Sequence, residues 1–231
     1  MSVFTDSLEN RLSELGIPYD AALPGKCEAY YRHVVAVNRH LNLTRITGEE
    51  EAAVQHFADA MLLARFLDIP EDGRVVDVGT GAGFPGVPLE LLRPDIRITL
   101  MDASGKKTDF IRETLSHMGI DADVMCARAE EAARTSLRAS FDVAVSRAVA
   151  ALPMLLELTV PLLRTGGVLA TWKGETAEDE LAAASGALQK LGCAVKSRHP
   201  VGRGSLLLIE KQKPTPDTFP RRFSKIKSQP L

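Results

Sequence analysis

The sequence predicts an α/β fold: a doubly wound, mostly parallel sheet of seven strands, closed by an antiparallel hairpin and preceded by an N-terminal helical extension. Three observations predict it. Apolar residues in the first seventy positions recur at helical spacing. From position 75 onward, short β-type runs alternate with helical stretches. The last two β-type runs are joined by only six residues, HPVGRG, which cannot form a crossover helix.

The N-terminal extension is predicted from two amphipathic faces and a helix start. The apolar residues of the two faces are Leu8, Leu12 and Leu15, then Tyr30, Val34, Val37 and Leu41. Thr47 followed by Glu50 predicts a capping box, and the apolar face after it runs through Val54, Phe57, Met61 and Leu62. The turn signal DIPEDG follows at 68–73, so we place a helical region at 1–70.

The alternation after this region predicts a parallel sheet covered on both faces, because parallel strands need crossover connections of this length. The predicted parallel strands are 75–78, 96–102, 122–127, 141–146 and 168–173. The helices predicted between and after them are 86–93, 105–118, 152–164 and 175–191. The closing hairpin is CAVKSR (193–198) with SLLLIEK (205–211), which completes a domain at 71–213.

Composition limits the class of protein. Apolar residues make up 45% and charged residues 25% of 231, as in an ordinary globular chain. The sequence contains no apolar run near the ~20 residues that span a bilayer, and its acidic amphipathic start does not resemble a signal peptide. The three cysteines are far apart and lack metal-ligand spacing, which argues against disulfides and zinc. We therefore expect a cytoplasmic monomer without metal or membrane contact.

The most informative stretch is DVGTGAGFPG (77–86), in which four glycines fall within eight residues after the first strand. Read as G-x-G-x-x-G from Gly81, it could bind a dinucleotide. Pro85 and Pro88 weigh against that, since they remove N–H groups from the helix start that would bind a pyrophosphate. Read from Asp77, with Asp102 ending the second strand, the layout resembles that of S-adenosylmethionine-dependent methyltransferases. The cofactor's amino-acid end would approach the glycines, and Asp102 would accept hydrogen bonds from the ribose hydroxyls.

The resemblance becomes specific in the residues around the glycines. DVGTGAGFPGVPLELL resembles the cofactor motif of the glucose-inhibited division protein B family, bacterial enzymes that methylate N7 of a guanine in 16S ribosomal RNA of the small subunit. Further agreement in order and spacing is found in NLTRIT (42–47), HFADAML (56–62), MDASGKKTDFI (101–111), ARAEE (127–131), FDVAVSRAVAAL (141–152) and TWKG (171–174). This similarity covers the chain from about residue 30 onward. It implies S-adenosylmethionine as cofactor and small-subunit ribosomal RNA, or the small subunit itself, as partner.

The resemblance also implies roles for residues. It places the methionine end of the cofactor near the glycine loop, and the ribose and adenine near the ends of the second and third strands. Arg147 would face the methionine end or the target base. The cofactor-binding residues predicted from the loop and from the resemblance are Asp77, Gly79, Gly81, Phe84, Asp102, Ala103, Ser104, Ala129, Glu130 and Arg147. Arg147 and Lys173 lie at strand ends on the same edge, and we predict that they hold the guanine or a neighbouring phosphate during catalysis.

Guanine N7 carries a lone pair and no hydrogen, so its methylation by in-line displacement needs no general base. The sequence accordingly contains no nucleophile–base constellation and no Asn/Asp-Pro-Pro-aromatic motif. We expect catalysis mainly from alignment of the reacting atoms.

The last 18 residues, 214–231, form a predicted basic tail. From Lys211 onward the chain carries six basic residues and one acid, on a body with net charge −7. The predicted RNA-binding residues are Arg128, Arg221, Arg222, Lys225 and Lys227, and we expect the tail to contact RNA without affecting the cofactor. Alternatively, the tail only solubilises the protein, or PRRF packs back on the domain through Phe219 and Phe223.

Two other functions stay open from sequence. A small-molecule methyltransferase would share the fold, although the basic tail disfavours it. A noncatalytic RNA-binding assembly factor would keep the fold without the reaction, although the glycine loop and Asp102 disfavour that function.

Overall fold

The chain folds as an α/β sandwich around one sheet, and the computed structural model describes residues 2–231. The N-terminal helices are α1 (Val3–Leu15), α2 (Leu23–Leu41), α3 (Glu49–Ala52), a π-helical segment (Ala53–Ala58), α4 (Asp59–Met61) and α5 (Leu63–Phe66). Ser2 caps α1, since its hydroxyl accepts from the Thr5 N–H at 3.2 Å. The helical faces are as predicted, with Leu8, Tyr30 and Phe57 fully buried.

The predicted capping box at Thr47 is wrong. The cap of α3 is Gly48, and no side chain bonds to its first turn. The Thr47 carbonyl instead accepts a hydrogen bond from the Tyr31 hydroxyl at 2.6 Å. The chain between α2 and α3 is therefore fixed by a tertiary contact.

The sheet has seven strands in the order β3-β2-β1-β4-β5-β7-β6, with β7 antiparallel to both neighbours. The strands are β1 (Arg74–Val78), β2 (Arg97–Asp102), β3 (Asp123–Cys126), β4 (Phe141–Arg147), β5 (Leu163–Lys173), β6 (Cys193–Val201) and β7 (Gly204–Lys211). The predicted fold class is confirmed. Because β1 and β4 are adjacent and the chain leaves them in opposite directions, their carboxyl ends form the crevice where such sheets bind ligands.

The remaining helices cover both faces of the sheet: α6 (Gly86–Leu92), α7 (Gly105–Met118), α8 (Ala129–Ala132), α9 (Leu152–Thr159), α10 (Ala177–Ala183), α11 (Ser185–Leu191) and α12 (Phe223–Ser228). The predicted helix 152–164 ends at Thr159 and continues as a 3₁₀ turn, Val160–Leu162. Pro161 explains this, because it has no N–H for the next helical bond. β5 therefore begins at Leu163, five residues before the predicted 168.

Two cores lie on opposite faces of the sheet. One joins the N-terminal helices to α6 and α7, and the other joins the sheet to α8, α9 and α11. The C-terminal segment, which we define as residues 214–231, packs on the second core through Phe219, Phe223 and the fully buried Ile226. The guanidinium of Arg138 donates to the Phe219 and Thr215 carbonyls of this segment.

Candidate active site

The loop between β1 and α6 owes its shape to glycine. Gly79, Gly81 and Gly83 have φ of 72°, 62° and 86°, a region that residues with side chains rarely adopt. A Cβ on Gly83 would overlap the Tyr30 hydroxyl, and one on Gly79 would overlap Val149. The loop is thus held between α2 and the segment after β4.

Asp77 holds this loop in place through hydrogen bonds to Thr80 and Gly86. Its carboxylate is fully buried, and one oxygen, Oδ2, accepts from the Thr80 hydroxyl at 2.7 Å and from the Gly86 N–H at 2.8 Å. The other oxygen has no hydrogen-bond partner among the described residues. Burial raises the pKa of Asp77 to about 7, against the lowering effect of these hydrogen bonds. The contacts of Asp77 join the two ends of the glycine loop.

Asp102 ends β2 beside the loop. Its Oδ2 accepts from the Gly81 N–H at 3.0 Å, and its Oδ1 accepts from the Ser104 N–H at 2.9 Å. Lys107 Nζ lies 4.0 Å from Oδ2. Each carboxylate oxygen can accept at least one further hydrogen bond. The carboxylate is therefore oriented by the backbone and retains acceptor capacity for a ligand.

Two adjoining cavities open at the carboxyl ends of the parallel strands. Cavity A, about 490 Å³, is lined by residues that include Gly81, Phe84, Arg147 and Lys173. Cavity B, about 330 Å³, is lined by residues that include Asp102, Ala103, Arg128, Ala129, Glu130 and Phe223. The two share Gly79, Lys107 and Ala148 in their walls. Both volumes lie in the range of small-molecule sites.

Arg147 lies in a defined hydrogen-bond network in cavity A. Its Nη2 donates to His56 Nδ1 at 2.7 Å, and its Nη1 donates to the Gln55 carbonyl. Because Arg147 only donates, His56 Nδ1 accepts and its Nε2–H donates to the Thr44 hydroxyl at 2.7 Å. Burial, and then the charge of Arg147, lower the pKa of His56 to about 3. A neutral His56, stacked on Phe84 at 4.4 Å, thus positions the guanidinium.

Lys173 is tied to the protein at the end of β5. Its Nζ donates to the Ala150 carbonyl at 2.7 Å and pairs with Glu180 at 2.8 Å. Glu180 also accepts the N–H of Leu152, the first residue of α9. Lys173 therefore joins three segments while lining cavity A, and its predicted contact with guanine stays a prediction.

The five predicted RNA-binding cations differ in their surroundings. Arg128 lies in the wall of cavity B, pairs with Glu130 at 2.5 Å, and places its guanidinium 3.9 Å from the centroid of the Phe223 ring. Arg221 is paired with the fully buried Glu157 at 2.6 Å. The three exposed ones are Arg222, Lys225 and Lys227. The structure therefore confirms the alternative in which PRRF packs back on the domain.

A larger cavity of about 740 Å³ lies at the opposite end of the sheet, beside the amino ends of β2 and β3. Acidic residues including Glu90 and Asp121 line it, and the glycine loop does not reach it.

Among residues 2–231, no group of three or more His, Cys, Asp or Glu side chains is arranged for a metal ion. None of the helices in this range has the length and apolar character needed to cross a membrane.

Solved structures share this fold. The chain is similar to a ribosomal protein L11 methylase from Lactobacillus delbrueckii subsp. bulgaricus, with TM-score 0.55, 20% identity, and coverage of 72% of this chain and 81% of that one. It is also similar to a SAM-dependent methyltransferase from Aquifex aeolicus, with TM-score 0.54, 17% identity, and coverage of 69% and 92%. Both solved structures are less than 25% identical to this chain, so these likenesses show the fold.

Sequence comparison gives the family. The family model GidB, described as rRNA small subunit methyltransferase G, matches residues 25–208. A ribosomal RNA small subunit methyltransferase G from Pelotomaculum thermopropionicum is 36% identical over the full length of both chains. The chain belongs to this family, as the motifs around residues 77–92 predicted.

Sequence reasoning did not place three residues at the site, one of which, Phe223, it named only as a packing anchor of the tail. Val149 closes the loop over Gly79, Lys107 stands between the two cavities, and Phe223 lines cavity B. A signal was available for Phe223, an aromatic residue inside a basic segment. Val149 and Lys107 have no comparable local signal, since their importance depends on the loop packed against them.

Proposed function

We propose that this protein transfers a methyl group from S-adenosylmethionine to N7 of a guanine in small-subunit ribosomal RNA. The observation that carries the proposal is Asp102, whose carboxylate is held by Gly81 and Ser104 where it lines cavity B beside the glycine loop. Family membership supports the RNA substrate. The proposal requires neither a metal ion nor a second copy of the chain, and an rRNA substrate implies a cytoplasmic enzyme.

The residues present fit the cofactor. Asp102 has acceptor capacity for two ribose hydroxyls, and Ala103, Ala129 and Glu130 line the same cavity for an adenine. Ser104 contributes by orienting Asp102 through its N–H. When bound, S-adenosylmethionine supplies an electrophilic methyl group on a sulfonium.

The methionine end of the cofactor belongs in cavity A under this proposal. Gly81 has room where a side chain would lie, and Gly79, Phe84 and Arg147 form part of the wall. Asp77 acts indirectly, by joining Thr80 to Gly86 beneath the loop.

The side chains around cavity A support a reaction without a general base. His56 is engaged at both ring nitrogens, by Arg147 and Thr44, and its lowered pKa keeps it neutral. It is therefore a poor candidate to accept a proton from a substrate, and an N7 lone pair does not require this. Catalysis then comes from alignment of the guanine with the methyl group, an effect of up to ~7–11 kcal/mol.

RNA contacts are assigned on exposure and position. Arg147 and Lys173 line cavity A and are proposed to contact the target guanine or an adjacent phosphate. Arg222, Lys225 and Lys227 are exposed and available to phosphates. Arg128 and Arg221 are engaged within the protein, so we give them a smaller share of the RNA contacts.

The test is transfer of labelled methyl groups. Purified protein is incubated with methyl-labelled S-adenosylmethionine and, separately, with naked rRNA, small subunits and a pool of small metabolites. We expect label in rRNA or in the small subunit, and strongly reduced label with Asp102→Ala. Label in metabolites alone would contradict the proposal. Tight RNA binding without label in any sample would favour a noncatalytic assembly factor.

A further inference from the structure

Phe223 connects the C-terminal segment to cavity B. It is the first residue of α12 and lines the cavity together with Asp102, Ala129 and Glu130. Asp102 ends β2, and Ala129 and Glu130 begin α8, all more than ninety positions earlier in the chain. The C-terminal segment therefore supplies part of the cavity wall.

The position of Phe223 is fixed from both sides along the chain. Two residues before it, Arg221 donates to both oxygens of Glu157: Nε to Oε1 at 2.8 Å and Nη2 to Oε2 at 2.6 Å. The Arg221 backbone N–H donates to Oε1 as well, at 2.8 Å. Three residues after it, Ile226 is fully buried in the second core. Release of the segment would leave a buried carboxylate unpaired, which is strongly unfavourable.

Arg128, which lines the same cavity, packs against the ring. Its guanidinium lies 3.9 Å from the Phe223 ring centroid, within cation–π distance. Its Nε pairs with Glu130 at 2.5 Å. Phe223, Arg128 and Glu130 thus form a continuous wall of cavity B, with the aromatic ring contributed by the C-terminal segment.

We propose that Phe223 is a cofactor-contacting residue whose ring forms one wall of the adenosine subsite. This rests on the proposed function, which places the adenosine in cavity B. An aromatic wall suits a purine, and alanine substitution of aromatic residues that stack on bases weakens binding roughly 5- to 150-fold. The C-terminal segment then contributes to cofactor affinity, contrary to the sequence-based expectation that it acts on RNA alone.

The experiment uses two ligands of the full chain. S-adenosylhomocysteine contains adenosine and the amino-acid end, whereas 5′-methylthioadenosine contains adenosine without that end. Calorimetry measures both affinities for wild type, Phe223→Ala and Phe219→Ala, well below each melting temperature. Phe219 is the matched control, because it packs on the same core from the same segment and does not line the cavity.

We expect Phe223→Ala to weaken both ligands by the same factor of at least fivefold, and Phe219→Ala to change either affinity less than twofold. Unchanged affinities in Phe223→Ala, or equal losses in both variants, would overturn the proposal. Loss for S-adenosylhomocysteine alone would also overturn it, by placing Phe223 at the amino-acid end. If wild type binds neither ligand, the proposed function fails as well. Should Phe223→Ala not fold, Phe223→Leu, which retains an apolar side chain without the ring, is judged by the same criteria.

Discussion

Arg221 and Arg222 are neighbours in the sequence, but we predict that replacing Arg221 destabilises the fold strongly and replacing Arg222 hardly at all. Arg221 is paired with Glu157, whose side chain is 0% exposed, while the Arg221 side chain itself is 22% exposed. Arg222 is exposed. Replacement of either by Ala removes one positive charge. Only in Arg221→Ala does this leave a buried carboxylate, that of Glu157, without its partner.

The magnitude follows from what remains around Glu157. Arg221→Ala removes the guanidinium donors and leaves the backbone N–H as the remaining contact from residue 221. Breaking a buried ion pair costs about 3–5 kcal/mol, and the partial exposure of Arg221 favours the lower end. At ~2–4 °C per kcal/mol for a chain of this size, the melting temperature should fall by roughly 6–12 °C. Arg222→Ala should stay within about 0.5 kcal/mol.

Thermal and urea unfolding of the two variants measure this difference. A third variant, Arg221→Ala with Glu157→Leu, removes the buried charge together with its partner and should recover part of the loss. Equal melting temperatures for Arg221→Ala and Arg222→Ala would refute the reasoning. So would a double variant less stable than Arg221→Ala, because Glu157 would then stabilise the fold without its ion pair.

Four further predictions concern the site, the stability of the fold and the RNA. Asp102→Ala should weaken S-adenosylhomocysteine at least about tenfold in calorimetry, since hydrogen bonds to charged groups contribute ~1.5–3 kcal/mol each; unchanged affinity in the folded variant would remove Asp102 from the site. His56 has a pKa lowered to about 3, so the methylation rate on saturating RNA should show no histidine inflection between about pH 6 and 8. Below about pH 6.5 the His56 side chain takes up a proton in the unfolded chain, whereas in the folded protein it stays neutral down to about pH 4. The free energy of unfolding of the wild type should therefore fall, relative to that of His56→Gln, as the pH drops from 6.5 to 4. A variant with Ser at Arg222, Lys225 and Lys227 should lose three phosphate contacts. The slope of the logarithm of the RNA-binding constant against the logarithm of salt concentration should then flatten by about 2, at ~0.7 per phosphate. An identical slope would show that these residues make no phosphate contacts.

The sheet could be predicted because its signals are local. Short apolar strands alternate with helical stretches, and six residues between the last two β-type runs exclude a crossover. The first and last residues of individual helices and strands could be predicted less well from the sequence. Pro161 ends α9 early and lets β5 begin at Leu163, and α8 and α12 have four and six residues, too few for periodicity to detect.

In the site, too, the features set by local sequence could be predicted, and those set by distant residues could not. The positive φ of Gly79 and Gly81 and the position of Asp102 at a strand end follow from residue type and local order. The environment of Arg147 does not, since its partner His56 is 91 positions away. Arg221 was counted with the RNA-binding cations because charge alone cannot reveal Glu157, 64 positions away and fully buried.

The central claim is that this chain methylates N7 of a guanine in small-subunit ribosomal RNA through a cofactor site built on Asp102. Mass spectrometry of nucleosides and mapped fragments can compare this RNA from a strain that lacks the gene with the same strain carrying either wild type or Asp102→Ala. The account predicts that one N7-methylguanosine is absent from the deletion strain, restored by wild type and not restored by Asp102→Ala. Identical modification in all strains, or loss of a methyl group at any position other than a guanine N7, would contradict it.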